Sequence, residues 1–137
     1  MGVSIVSVIV ATVVMFAVGA VWYMGLFAKK WAQMHGMDKL GNKEMKKLSS
    51  QMGPFYGLQL IMTIVSAWAL AYLMSLLPNT PPSVVAIIVW AGFVLPAIVS
   101  GVIFGGTKSG DIVPKILIQA GEALVRVVVA AWVISLF

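Results

Sequence analysis

Charged side chains are absent from two long stretches, Met1 to Ala28 and Gln51 to Thr107. A helix needs about 20 apolar residues to cross the hydrocarbon core of a bilayer. The first stretch therefore predicts one span, at about 3–27. The second is long enough for two, divided at Pro78-Asn79-Thr80-Pro81-Pro82, where three prolines cannot continue a helix. These spans fall at about 54–77 and 83–104. A fourth runs over about 114–135 and starts at Pro114, which suits a first helical turn. The expected fold is an all-α, polytopic bundle of four transmembrane helices in a single domain over residues 1–137. The first span reads as a retained helix, because it lacks a basic leader and ends in Trp22-Tyr23, not in small residues.

Between the first two spans the pattern changes. Asn42 can cap a short cytoplasmic helix that places Met45, Leu48 and Met52 at i, i+3 and i+7, with Lys43, Lys46 and Lys47 elsewhere on its surface. Such a segment can lie along anionic lipid headgroups, each basic residue adding about 1 kcal/mol of attraction. The alternative is a solvated topology signal. Eight lysines (29, 30, 39, 43, 46, 47, 108 and 115) lie in or beside the first and third loops, and none lies in the Pro-rich second loop or the amino-terminal tail. The positive-inside rule then places both termini outside, with the first and third loops cytoplasmic.

Composition agrees with this reading. Of the 137 residues 61% are hydrophobic and 9% charged, far below the quarter or so that wets a soluble domain. The net charge of +5 therefore points to topology and anionic lipid, not to nucleic acid. Without cysteine there is no disulfide or thiolate chemistry. No Ser–His–Asp set, carboxylate pair or metal cluster is present, so neither catalysis nor a cofactor is expected. Gly105-Gly106-Thr107-Lys108-Ser109 lacks the glycine that a phosphate loop needs before its lysine.

Two polar stripes carry the candidate chemistry. On the fourth span Asp111, Lys115, Gln119, Glu122 and Arg126 project to one side, and Arg126 lies about 18 Å beyond Pro114, near the midplane. On the second span Tyr56, Gln59, Thr63 and Ser66 share a face at matching depths. The expectation is that these helices face each other through a polar seam, with Glu122 paired to Arg126 one turn away. An ionisable pair at that depth is a functional-site hypothesis by default, each charge costing about 2.5–3.5 kcal/mol to insert. It could glue helices, line a ligand or ion cavity, or form a subunit interface. Pro96 crowds the carbonyl of Gly92 and predicts a kink in the third span. The repeats Ala97, Gly101, Gly105 and Gly53, Gly57 predict close helix approach, within one subunit or between two.

Five motifs occur in order: "VWYMGLFAKKW" (21–31), "GPFYGLQL" (53–60), "ALAYL" (69–73), "WAGFVLP" (90–96) and "KILIQAGEALV" (115–125). Together they resemble the small four-helix prokaryotic membrane proteins grouped as domain-of-unknown-function family 1761. The resemblance covers nearly the whole chain and implies an integral membrane protein with no established activity. The expected function is non-enzymatic: a small membrane protein, working as an oligomer, that binds or conducts a solute or ion. The alternative is an accessory subunit in which the Glu–Arg pair only holds helices together.

Overall fold

The computed structural model describes residues 2–137. Helix α1 (Ile5–Ala20) opens at Ser4, whose Oγ accepts the Ser7 amide at 3.2 Å. It runs on into a π-turn, Val21–Leu26, and is followed by the short α2 (Ala28–Met34). Then come α3 (Asn42–Leu76), α4 (Pro82–Val89), a second π-turn (Trp90–Val94), α5 (Leu95–Phe104) and α6 (Ile112–Ser135). Among the described residues there is no strand. Four stretches are long and apolar enough to cross a membrane: Ile5–Leu26, Asn42–Leu76, Pro82–Phe104 and Ser109–Ser135.

The separate amphipathic helix expected in the first loop does not form as such. Residues 42–53 are the opening turns of α3, which runs unbroken for 35 residues with Pro54 inside it. That is about 52 Å of helix against a hydrocarbon core of about 30 Å. The opening turns therefore continue the axis of the span and do not lie flat beside it. Pro54 forfeits one backbone hydrogen bond, to the Ser50 carbonyl, at a place where Ser50 is exposed and its oxygen can find another donor. Gly41 holds the cap position without a side-chain bond, and Asn42 is already helical.

In the third span the helical ladder does break where Pro96 crowds it. The π-turn sits immediately before the proline, and the Leu95 amide donates to the Trp90 carbonyl five residues back. This wider turn accommodates the proline ring. A matching turn in the first span, where the Phe27 amide donates to the Trp22 carbonyl at 2.9 Å, has no proline to announce it.

Helix α6 is the centre of the bundle, with α1 packed on one side and α4–α5 on another. Helix α3 packs mainly on α1 and meets α6 and α4 only lightly. The core gathers Val8, Ala11 and Met15 of α1 with Ala67, Leu70 and Ala71 of α3, Val85 and Ala86 of α4, and Val127, Ala130, Ala131 and Ile134 of α6. All of these lie in the half nearest the Pro-rich loop. Close approach there comes from alanines. The repeats expected to provide it do not: Gly53, Gly57, Ala97, Gly101 and Gly105 are all exposed.

At the lysine end α3 parts from its neighbours. Tyr56, Gln59, Thr63, Ala67 and Leu70 fall within about an 80° arc of the helix. Thr63, Ala67 and Leu70 are buried, whereas every residue from Gln51 to Met62 is exposed. The same face is thus covered in one half of the bundle and uncovered in the other.

Candidate functional site

The polar stripe of α6 divides into two groups with different surroundings. Its lysine end closes against α2. Lys30 Nζ lies 4.0 Å from Asp111 Oδ1, and Lys115 Nζ stands 5.9 Å from the centre of the Trp31 ring. Trp31 packs in turn on Tyr23 and His35, at 4.6 Å and 4.3 Å between ring centres. Deeper in, Gln119 is half-buried and Glu122 is buried.

Glu122 is sealed by α1. A Cβ on Gly19 would stand 3.6 Å from Glu122 Oε1, so the missing side chain makes room for the carboxylate. Arg126 Nε lies 3.6 Å from the same oxygen, within reach for attraction but too far for a hydrogen bond. That nitrogen is buried and has no hydrogen-bond partner. The Arg126 side chain nevertheless keeps 26% of its surface, so its exposed part lies elsewhere on the guanidinium or stem.

That exposed part belongs to a cavity of about 230 Å³, enclosed by Met15 of α1, Ser66, Leu70 and Leu73 of α3, Val89 and Val94 around the second π-turn, and Val127 beside Arg126. Apart from Arg126, the only polar side chain in its wall is Ser66. Of its lining residues Ser66 and Ala69, both on α3, are the exposed ones.

The two expected stripes therefore meet only in part. Ser66 shares a cavity with Arg126. Thr63 is buried, but its hydroxyl donates to the Gln59 carbonyl of its own helix at 2.8 Å, and Gln59 Nε2 donates back to Thr63 Oγ1 at 3.3 Å. Gln59 and Tyr56 are exposed and bond to neither Glu122 nor Arg126. The wall facing Glu122 is α1, not α3. Matching depth does not make two helices neighbours when one tilts away. Lys43, Lys46 and Lys47 are exposed on the opening turns of α3.

Two residues that hold the site together have a role the sequence pattern did not assign. Trp22 Nε1 donates to the Ile118 carbonyl at 2.8 Å, and Trp90 Nε1 donates to the Ala120 carbonyl at 2.9 Å. Each tryptophan opens or nearly opens a π-turn, and the two grip α6 from different neighbours, within about one turn of Glu122. Trp22 would ordinarily be read as an interfacial anchor. Its indole instead points inward, over Gly121, where a Cβ would come within 3.0 Å of Trp22 Cζ2. The legible signal was their place in the "VWYMG" and "WAGFV" motifs.

No group of three or more His, Cys, Asp or Glu that could hold a metal exists among the described residues. What the arrangement offers is an arginine, with an unpaired Nε, in the wall of a small apolar chamber. Three apolar helices about a central fourth, with tryptophan clamps and a Glu–Arg step, have the build of a small multi-pass membrane protein. The family described as "Protein of unknown function (DUF1761)" matches residues 6–135, and the chain belongs to that family. No curated protein matches the chain, and neither does any solved structure.

Proposed function

We propose that this chain is a non-catalytic integral membrane protein that binds a small solute in the cavity at Arg126. One observation carries the reading: a mid-span guanidinium, costly to insert, whose Nε has no hydrogen bond and whose exposed part faces a chamber. Structural glue explains it less well. Glu122 and Arg126 are one turn apart on a single helix, and a pair within one helix joins nothing to anything else. The joining is done by the two indoles.

The lysine distribution supports a cell-membrane protein with both termini outside and the first and third loops in the cytoplasm. Lys43, Lys46 and Lys47 then stand among or beyond the inner headgroups and attract anionic lipid. Four spans enclose too little space for a through-path, so conduction belongs to this reading only for an assembly of copies. A second reading, an accessory subunit, is favoured by α3, in which every residue from Gln51 to Met62 is exposed. The mass of the detergent-extracted complex separates a single copy from an assembly.

The chain lacks cysteine, which allows a direct test of the cavity. Ser66→Cys places one thiol in the wall. Its alkylation is compared for iodoacetate and iodoacetamide, and the ratio of rates cancels changes in thiolate content. A ratio of the two rates that shifts in the added Arg126→Met variant supports the reading. A ratio indifferent to Arg126 overturns it.

A further inference from the structure

The chamber's walls, its opening and its charge balance narrow the class of solute. Resting on the reading above, we propose that the ligand is a weak monocarboxylic acid with a short apolar tail, which enters sideways from the bilayer and brings its own proton.

The head is set by Arg126. A guanidinium presents a planar fork of donors that matches a carboxylate, and Ser66 adds a hydroxyl on the opposite wall. The tail is set by Met15, Leu70, Leu73, Val89, Val94 and Val127, which offer nothing to a polar chain. At about 230 Å³ the chamber lies below the roughly 300–1,000 Å³ of drug-sized pockets, so it takes a small acid or one end of a longer one. The opening past Ser66 and Ala69 lies on the flank of α3, between membrane-spanning helices, and so faces lipid.

The proton follows from Glu122. With Glu122 and Arg126 both ionised the empty site is neutral, and a bare anion would leave one uncompensated negative charge in a low-dielectric place. An acid arriving with its proton keeps the total at zero, whichever carboxyl then holds it. The groups able to take part are few. Arg126 and Glu122 face each other, and the first span's own titratable group is Tyr23, in the π-turn. Helices α1, α4 and α5 carry no titratable side chain. Those of α3 are Lys43, Glu44, Lys46, Lys47, Tyr56 and Tyr72, none of them in the cavity wall.

The test uses the full chain with Ser66→Cys in lipid nanodiscs, and follows protection of that thiol from iodoacetamide by octanoate, octyl sulfonate or octanamide. Octanoate is expected to protect, with apparent affinity falling about tenfold per pH unit above the titration of the free acid. Octyl sulfonate, which cannot carry a proton, is expected to be at least about tenfold weaker. Protection by octanoate should vanish in Arg126→Met and also in the charge-free Glu122→Gln/Arg126→Met pair, which guards against a fold lost to one unpaired charge. Equal protection by the sulfonate, with or without pH dependence, overturns the weak-acid inference, as does equal protection by octanamide. Either result leaves solute binding standing if the iodoacetate-to-iodoacetamide ratio depends on Arg126. A ratio indifferent to Arg126 removes the solute-binding reading itself.

Discussion

Gly121→Ala, made with and without Trp22→Phe, probes how the central helix is held. A Cβ at residue 121 would meet Trp22 Cζ2 at 3.0 Å and Cη2 at 3.6 Å. The first contact is tighter than nearly all real ones, so the indole must move by a few tenths of an ångström. That indole is also tied at 2.8 Å to the Ile118 carbonyl and packs on Phe27 at 5.1 Å between ring centres. It cannot retreat without stretching one contact or the other. Overpacking of this kind costs about 1–3 kcal/mol. Replacing glycine by alanine within a helix returns about 1 kcal/mol. Alone, Gly121→Ala should therefore range from nearly neutral to about 2 kcal/mol destabilising. Phe at position 22 lacks the Cζ2–Cη2 edge, so in that background the same substitution should be neutral or stabilising by up to about 1 kcal/mol. The coupling between the two changes is then about 1–3 kcal/mol, read from reversible unfolding in mixed micelles as a double-mutant cycle. Additivity within about 0.5 kcal/mol would mean that Trp22 does not lie over Gly121, and the clamp would fall with it.

Trp90→Phe removes the bond to the Ala120 carbonyl but leaves that oxygen its own helical partner, so unfolding in micelles should show a loss of about 0.6–1.7 kcal/mol. Gly19→Ala adds a methyl at ordinary contact distance from Glu122, and by the same measurement should cost less than about 1 kcal/mol, whereas Gly19→Leu should cost more than about 2 kcal/mol by displacing the carboxylate. Pro54→Ala restores an amide donor in an already continuous helix, so hydrogen exchange at residues 48–58 should slow with no change elsewhere. Lysines of the first loop should resist an impermeant amine reagent added outside intact cells and react after permeabilisation, and reaction before it would reverse the topology.

The bundle's parts were legible at once because the signals are local. A run of uncharged residues reports its own solvation, and Pro78, Pro81 and Pro82 end one helix and begin another without reference to anything distant. The break near Pro96 was equally readable, since the clash with the carbonyl of Gly92 lies within one turn. The division expected between a short loop helix and a span from about residue 54 is absent, because Pro54 sits inside one continuous helix. The bond lost at the proline is real, but a free carbonyl at an exposed position is cheaply satisfied, so the helix does not stop there.

The site was legible in its residues and not in its arrangement. Composition and spacing alone singled out Glu122, Arg126 and Ser66, because charge and hydroxyl within an apolar span are conspicuous. Which helix would stand opposite each of them depended on tilt, to which periodicity is blind: Gln59 and Ser66 lie on one face of α3, yet only Ser66 reaches the cavity. The clamp depended on contacts across 96 positions, from Trp22 to the backbone of Ile118, and an indole's sequence neighbours do not say whether it points toward lipid or toward a helix. The sequence by itself determined four helices long and apolar enough to span, the placement of the lysines and the position of each polar group along its helix, all properties of one helix in its solvent. Only the tertiary structure decided that α6 is the centre, that α1 seals Glu122, and that α3 stands away to leave a chamber at Arg126, because those depend on how rigid helices fit against one another.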